Sequence, residues 1–454
     1  MSASIDTPVS IFWFRRDLRL HDNAGLYRAL RGDHPVLPLF IFDENILEHL
    51  PSKDARVEFL QRTAKDLKRE LRGLGSNLIV HYGRPLELWP KLLREYPVAA
   101  VYTNHDFEPY AKERDGAVEQ LLAGKDIPFY TYKDQVIFER TEVCKADGDP
   151  YVVFTPYKNR WLAKLGTKSP VGKGPNAEET DSFYLQSYPN ERYFDRLFQT
   201  SEQLPYPTLA DMGFEPTNTY IPPRNAPDEL IQTYDETRDY PAIEGTSRIG
   251  LHLRFGTVSI REKARRARRL NDTFLNELIW RDFYAQILAN FPHVVNGPFR
   301  PKYEAIPWRN EEEDFKKWCA GKTGYPLVDA GMRELNETGY MHNRVRMVVA
   351  SFLTKHLLIN WQWGESYFAE KLLDYELASN NGGWQWAAGC GTDASPYFRV
   401  FNPASQLKSF DKNKEYVRRW VPEFGTEGYP EPMVDHKEAR ERAIATYKAA
   451  LQGK

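Results

Sequence analysis

Cysteine is scarce: Cys144, Cys319 and Cys390 are the only three in 454 residues, far apart and without C-x-x-C spacing. That pattern excludes a disulfide framework and a cysteine zinc site, and no metal is expected. Neither G-x-G-x-x-G nor G-x-x-x-x-G-K-[ST] occurs, so the common dinucleotide and P-loop signatures are absent. No apolar run is long enough to span a bilayer, and the opening Met-Ser-Ala-Ser-Ile-Asp-Thr-Pro lacks the basic and apolar regions of a signal peptide. The expectation is a soluble, cytoplasmic protein without a membrane partner. Net charge is also lacking, at -2, so any nucleic-acid surface has to come from local clusters of Lys and Arg.

What is abundant is aromatic surface, 14% of residues, with Trp 11, Tyr 26 and Phe 25. Such content suits stacking on flat ligands and equally suits a large core. The length favours two or more domains. Short apolar runs at residues 9–14, 36–42, 78–82, 99–103 and 127–132 alternate with helical segments at 52–72 and 108–122. This predicts an α/β domain over 1–135 with a doubly wound, Rossmann-like parallel sheet. Its ligand crevice lies beyond the carboxyl ends of the strands, near Arg15, Arg16, Asp17, Asp43 and Asn104. Residues 136–205 are rich in Pro, Gly, Tyr and charge and read as an interdomain connector, ordered rather than slack because of their aromatics. Apolar residues then recur with helical spacing at 274–288, 327–335, 344–358 and 367–377, predicting a large all-α domain over 206–454.

Four stretches of the helical part carry chemistry. Asp374 to Pro403 combines carboxylates, the tandem amides Asn380 and Asn381, Gly382 and Gly383, and Trp384 and Trp386, either a site for a large planar polar ligand or a helix start broken by glycine over two core tryptophans. Thr246 and Ser247 before an apolar run read as helix caps, alone or, with Arg248, as an anion site. Glu277, Trp280, Arg281 and Tyr284 stand at i, i+3, i+4 and i+7, one stripe that could line a cavity for a stacked base. Asn343, Arg346 and Met347 share a face, Arg344 stands aside where a phosphate could meet it, and His342 reads as structural. The basic run from Arg261 to Arg269 reads as a solvated face able to give a few phosphate contacts.

Asn380-Asn-Gly-Gly-Trp-Gln-Trp-Ala-Ala388 with Gly391-Thr-Asp-Ala-Ser-Pro-Tyr-Phe-Arg-Val-Phe-Asn-Pro403, and Phe12-Trp-Phe-Arg-Arg-Asp-Leu-Arg-Leu-His-Asp-Asn23 at the other end, closely resemble the photolyase and cryptochrome family, and within it the class I cyclobutane pyrimidine dimer photolyases. The resemblance implies FAD in the helical domain, DNA containing pyrimidine dimers as partner and substrate, and a monomer. It implies flavin contacts from Tyr234, Thr246, Ser247, Arg248, Ile249, Gly250, Arg281, Asn343, Arg346, Asp374, Tyr375, Glu376 and Asn380. Gly250 replaces a serine of the phosphate motif, and Glu376 stands where many relatives have Asp. Around the lesion it places Glu277, Asn343, Met347 and Asn380 in catalysis, with DNA contacts from Arg238, Glu277, Trp280, Arg281, Tyr284, Asn343, Arg344, Trp386, Arg399 and Gln406. Trp384, Trp361 and Trp308 match an electron relay running from flavin to solvent. Family members often hold a second chromophore in the α/β crevice. Folate users resemble one another in an Asn-Glu pair where this chain has Tyr110-Ala111, which leans toward a deazaflavin or no antenna chromophore.

Two relatives with other duties are set apart by single positions. Cryptochrome-type photoreceptors resemble one another in Asp or Cys where this chain has Asn380, and carry long C-terminal tails. The (6-4) photolyases resemble one another in a catalytic His pair, interrupted here by Asn343.

Overall fold

A computed structural model describes residues 7–166 and 182–452. The Gly- and Pro-rich part of the expected connector, residues 167–181, lies outside them. The chain divides into two compact units, the first made of residues 1–139, 163–224 and 249–266 and the second of 140–162, 225–248 and 267–454.

The first unit is built on five parallel strands, β1 (Val9–Phe14), β2 (Val36–Asp43), β3 (Ile79–Gly83), β4 (Val98–Asn104) and β5 (Phe129–Tyr132), in the order β3-β2-β1-β4-β5. Helices α1 (Ala24–Leu30), α2 (Ala55–Gly73), α3 (Pro85–Glu95) and α4 (Pro109–Ala123) make the crossovers. The period of two along each strand sorts the apolar residues onto two faces. Phe12, Phe14, Phe40 and Phe42 pack with Leu26 of α1 and Leu67 and Leu71 of α2, whereas Ile11, Trp13, Leu39 and Ile41 pack with Trp89 of α3 and Val118 and Leu122 of α4. Each fully buried aromatic or aliphatic side chain contributes about 1.5–3 kcal/mol, so neither face can be left bare.

At the carboxyl ends of these strands the polar residues are tied to one another. Asp43 accepts from the Tyr110 hydroxyl at 2.8 Å and from Arg114 at 3.4 Å, and Asn45 donates to the same hydroxyl at 2.9 Å. Asn104 donates to Asp17 at 2.5 Å and to Asn23 at 2.8 Å. Asp17 is fully buried, and burial raises its carboxyl pKa against the bonds from Arg15 and Asn104.

Within the described residues, the second unit is helical. Its main members are α5 (Phe154–Leu165, which belongs to this unit up to Leu162), α6 (Asp272–Asn290), α7 (Pro326–Thr338), α8 (Asn343–Ser351), α9 (Trp361–Lys371), α10 (Leu377–Ala388), α11 (Pro403–Phe410) and α12 (His436–Gln452). Two expected helices differ from the observed ones. The apolar spacing at 367–377 belongs to two helices: α9 ends at Lys371, Leu373 donates to Gly339 O, and α10 starts at Leu377. The run 344–358 is α8 only to Ser351 and then widens into a π turn, Phe352–His356. Inside the stretch expected as a connector, α5 buries Tyr157 and Trp161, four residues apart and therefore on one face. No helix among the described residues is long and apolar enough to cross a membrane.

Candidate flavin and DNA site

Helix α6 opens with Asn271, whose side chain accepts from the backbone N–H groups of Thr273 and Phe274 and so satisfies two donors that the helix itself leaves open. The cap sets the phase of the stripe that follows. Glu277 accepts from Arg238 at 2.5 Å; its pKa is raised by burial, and the Arg238 charge opposes that rise. The same guanidinium lies 5.3 Å from the centre of the Tyr234 ring, which stands edge-on to Phe274. One turn on, half-buried Trp280 meets Phe283 and Tyr284, and Arg281 donates to Glu376 at 2.8 Å.

Helix α10 comes up against α6 at a glycine. A Cβ on Gly382 would lie 2.2 Å from the Tyr284 ring, and one on Gly364 of α9 would lie 2.1 Å from Trp384, so both positions exist to let helices close on aromatic rings. Gly383, next door, faces open space. Asn380 donates to Glu365 O at 3.1 Å, and Asn381 donates to the Glu365 carboxylate at 3.1 Å and to Val294 O at 2.9 Å. Burial pushes the Glu365 carboxyl up to about 7.

A second wall forms around Tyr340. Its hydroxyl shares a hydrogen bond with that of Thr246 at 3.0 Å, and Arg248 and Arg346 lie 4.5 and 5.6 Å from its ring centre. Arg346 is fixed by bonds to Met341 O at 2.6 Å and to both oxygens of Asp374 at 3.0 and 3.1 Å. His342 caps α8, its Nδ1 accepting from Arg344 N–H at 3.2 Å, and burial brings its pKa down to about 4. The imidazole is therefore neutral, with its proton on Nε2.

Thr246 and Ser247 are not helix caps: Arg248 sits at φ 50°, which breaks any helix there, and the next helix, Gly250–Arg254, starts after Ile249 without a side-chain cap. Ile249 and Gly250 fall in the first unit, and the other flavin and DNA positions in the second.

The remaining positions are more dispersed. Trp384 and Trp361 are buried and Trp308 half-buried; among the described residues no ring contact joins the three directly, Trp384 meeting Trp318 and Phe368, and Trp308 meeting Tyr447. Arg344 pairs with Asp239 at 2.8 Å and covers Phe410 at 4.2 Å. Trp386 tilts on Phe401, exposed Arg399 lies over the same ring, and Gln406 keeps a buried oxygen without a partner. Asn343 is exposed, and Met347 and Tyr375 are half-buried. Tyr340, Glu365 and Asp239 escaped sequence reasoning, because each acts through a partner distant in the chain.

With this geometry in view, the chain matches the family described as DNA photolyase over residues 10–175 and the one described as FAD binding domain of DNA photolyase over residues 274–426. It is 37% identical to a deoxyribodipyrimidine photo-lyase of Synechococcus sp. over 97% of this chain and 97% of that relative. The chain belongs to the DNA photolyase family. Its fold superposes on a bacterial class III photolyase from Agrobacterium tumefaciens with a TM-score of 0.83 and 31% identity, covering 100% of this chain and 99% of that one. An archaeal photolyase from Sulfolobus tokodaii, solved with two FAD molecules, gives 0.80 and 34%, covering 97% and 99%.

The residues present fit the flavin that this family's domain binds. Among the described residues, Arg248 Nε, His342 Nε2 and Arg344 Nε are buried donors without an acceptor. Leaving a buried donor unmet costs about 1–3 kcal/mol, so unmet guanidinium and imidazole N–H groups suit an anionic, oxygen-rich group such as a pyrophosphate. Among the described residues no three His, Cys, Asp or Glu side chains gather as a metal site.

Proposed function

We propose that this chain repairs cyclobutane pyrimidine dimers in DNA under near-UV or blue light, as a class I enzyme. Residues 206–454 hold flavin and lesion, and residues 1–135 form an antenna domain. The observation that carries the reading is the continuity of one side-chain set in the second unit: the stripe expected to meet the lesion is bonded to the segment expected to meet the flavin, through Arg281 to Glu376 and Tyr284 against Gly382. Relatives named deoxyribodipyrimidine photo-lyase support the substrate.

Reduced FAD, when bound, would supply the light-driven electron transfer by which the cyclobutane bonds open. The chain's own tasks are to bind, orient and keep water out. Thr246, Ser247, Arg248 and Arg346 would hold the phosphates, Arg346 being kept in place by Asp374. The Asn380 side chain, whose amide donates to Glu365 O, would meet the flavin ring. Trp280 and Trp386 stack the extruded bases, extrusion costing least where pairing is already damaged. Glu277, held by Arg238, hydrogen-bonds the lesion's polar edge, with Asn343 and Met347 lining the same pocket. Trp384, Trp361 and Trp308 would relay an electron from solvent toward the cofactor. In the first unit, Tyr110-Ala111 in place of an Asn-Glu pair speaks against folate and leans toward a deazaflavin or no second chromophore.

Illuminating the flavin-loaded protein with an oligonucleotide carrying one thymine dimer, and assaying restored thymines, tests the assignment. Glu277→Ala is expected to retain flavin and to lower repair by roughly ten-fold or more, the size of a lost hydrogen bond to a charged group. Repair at the unaltered rate would remove Glu277 from the pocket, and no repair by the parent protein would leave the photoreceptor reading in its place.

A further inference from the structure

Phe154, the first residue of α5, lies in a stretch that the sequence marks only as connector, yet its ring is buried against Trp280. The two centroids are 3.6 Å apart and the planes 5° from parallel. Free aromatic pairs avoid this arrangement, settling offset or edge-on at about 4.5–7 Å, because eclipsed ring faces repel. What holds the two residues must therefore impose it.

The holding contacts are all in the second unit. Asp393, in the loop after α10, accepts from the Phe154 N–H at 3.2 Å and so caps α5 from far along the chain. Tyr157 packs on Phe283 at 5.3 Å. Trp161 donates to Asp282 at 3.0 Å, and Gln286 donates to Tyr151 O at 2.8 Å. Helix α5 is thus pinned along α6 from both sides of Phe154. Phe283 lies 5.6 Å from Trp280 at 84° and Tyr284 5.5 Å away at 31°, so two rings of α6 restrain the indole besides Phe154.

We propose that Phe154 is a positioning residue for lesion recognition: it occupies one face of Trp280 and fixes the indole plane, so that an extruded base can stack only on the other face. This rests on the reading of Trp280 as a wall of the lesion pocket. A ring held in advance has little freedom left to lose when a base arrives, so the effect belongs to binding of damaged DNA rather than to DNA affinity in general.

The test compares binding of the flavin-loaded protein to one oligonucleotide with and without a thymine dimer. Phe154→Ala is expected to weaken binding of the damaged strand about ten-fold, within the range of one base–aromatic stack, and to leave the undamaged strand unchanged. Phe154→Tyr restores the difference. In a Trp280→Ala background, Phe154→Ala has no further effect, because the two act as one unit. Unchanged discrimination by Phe154→Ala overturns the proposal, as does equal weakening on both strands or additional loss in the Trp280→Ala background. Should the alanine variant fail to keep flavin, Phe154→Leu, which keeps bulk without a flat face, carries the same comparison. Trp280→Ala with full discrimination would overturn the lesion-wall reading itself, and is separable from a failure confined to Phe154.

Discussion

Two half-buried carboxyl groups in the second unit stand in opposite circumstances. Glu277 has Arg238 at 2.5 Å to offset the cost of burying its charge. Glu365 has only the Asn381 amide, and burial pushes it up to about 7. A native carboxyl that titrates near 7 binds a proton more tightly than the unfolded one, which titrates near 4.5. Stability from this group is therefore full below the unfolded value, falls as pH rises through the window between the two values, and is flat above it. Glu365→Gln, which keeps the oxygen facing Asn381, is expected to leave the melting temperature unchanged at pH 4 and to raise it at pH 8. A pH-dependence identical to the parent's would show that Glu365 titrates normally. The Glu277 stripe was legible in the sequence because helical spacing alone aligns i, i+3, i+4 and i+7. Glu365, Tyr340 and Phe154 were not, since their importance comes from Asn381, Arg248 and Trp280, each more than a dozen residues away.

Helices α6, α9 and α10 meet where side chains are absent. Alanine exceeds glycine in helix propensity by about 1 kcal/mol, so replacing a glycine inside α10 should help unless something stands in the way. At Gly382 the Tyr284 ring does, with 2.2 Å left for a Cβ, and overpacking of that kind costs about 1–3 kcal/mol. Gly382→Ala is expected to lose about 1–2 kcal/mol in urea unfolding of the flavin-free protein, while Gly383→Ala, with nothing within 4 Å, keeps or gains stability. If both variants behave alike, the close approach of α6 and α10 is not what keeps Gly382. The sequence showed a glycine pair and could not tell the two apart, because only the packed partner helix distinguishes them. The strands were more legible: a short unbroken apolar run between helical segments is local information, and β1 to β5 fall on or within a residue or two of those runs. The helix expected at 367–377 failed for the converse reason, since apolar spacing continues through Leu372 and Leu373 although the backbone turns there to bond Gly339.

At the scale of the whole chain, a net charge of -2 gives no general pull toward DNA, so affinity has to arise from particular cations. The pattern of apolar runs and helical spacing separated an α/β part from a helical part, yet it could not show that α5, among Pro- and Tyr-rich sequence, packs with α6. Nor could it show which arginines are already engaged. Arg344, the residue that the resemblance sets against a phosphate, is paired with Asp239 at 2.8 Å in a partly exposed ion pair. Such pairs are worth at most about 1 kcal/mol, less than a phosphate contact that releases a counterion, so the DNA backbone can displace the aspartate. Arg344→Ala is expected to weaken damaged and undamaged DNA alike and to lower the slope of log K against log salt by roughly one. Asp239→Asn should act in the opposite sense, strengthening both several-fold at low salt, since it removes the competitor and leaves the cation in place. Fluorescence anisotropy titrations across a salt series read both. A slope unaltered by Arg344→Ala would mean that the ion pair with Asp239 survives binding, and the phosphate contact would then have to be sought among other cations of the second unit, with exposed Arg399 the first to examine.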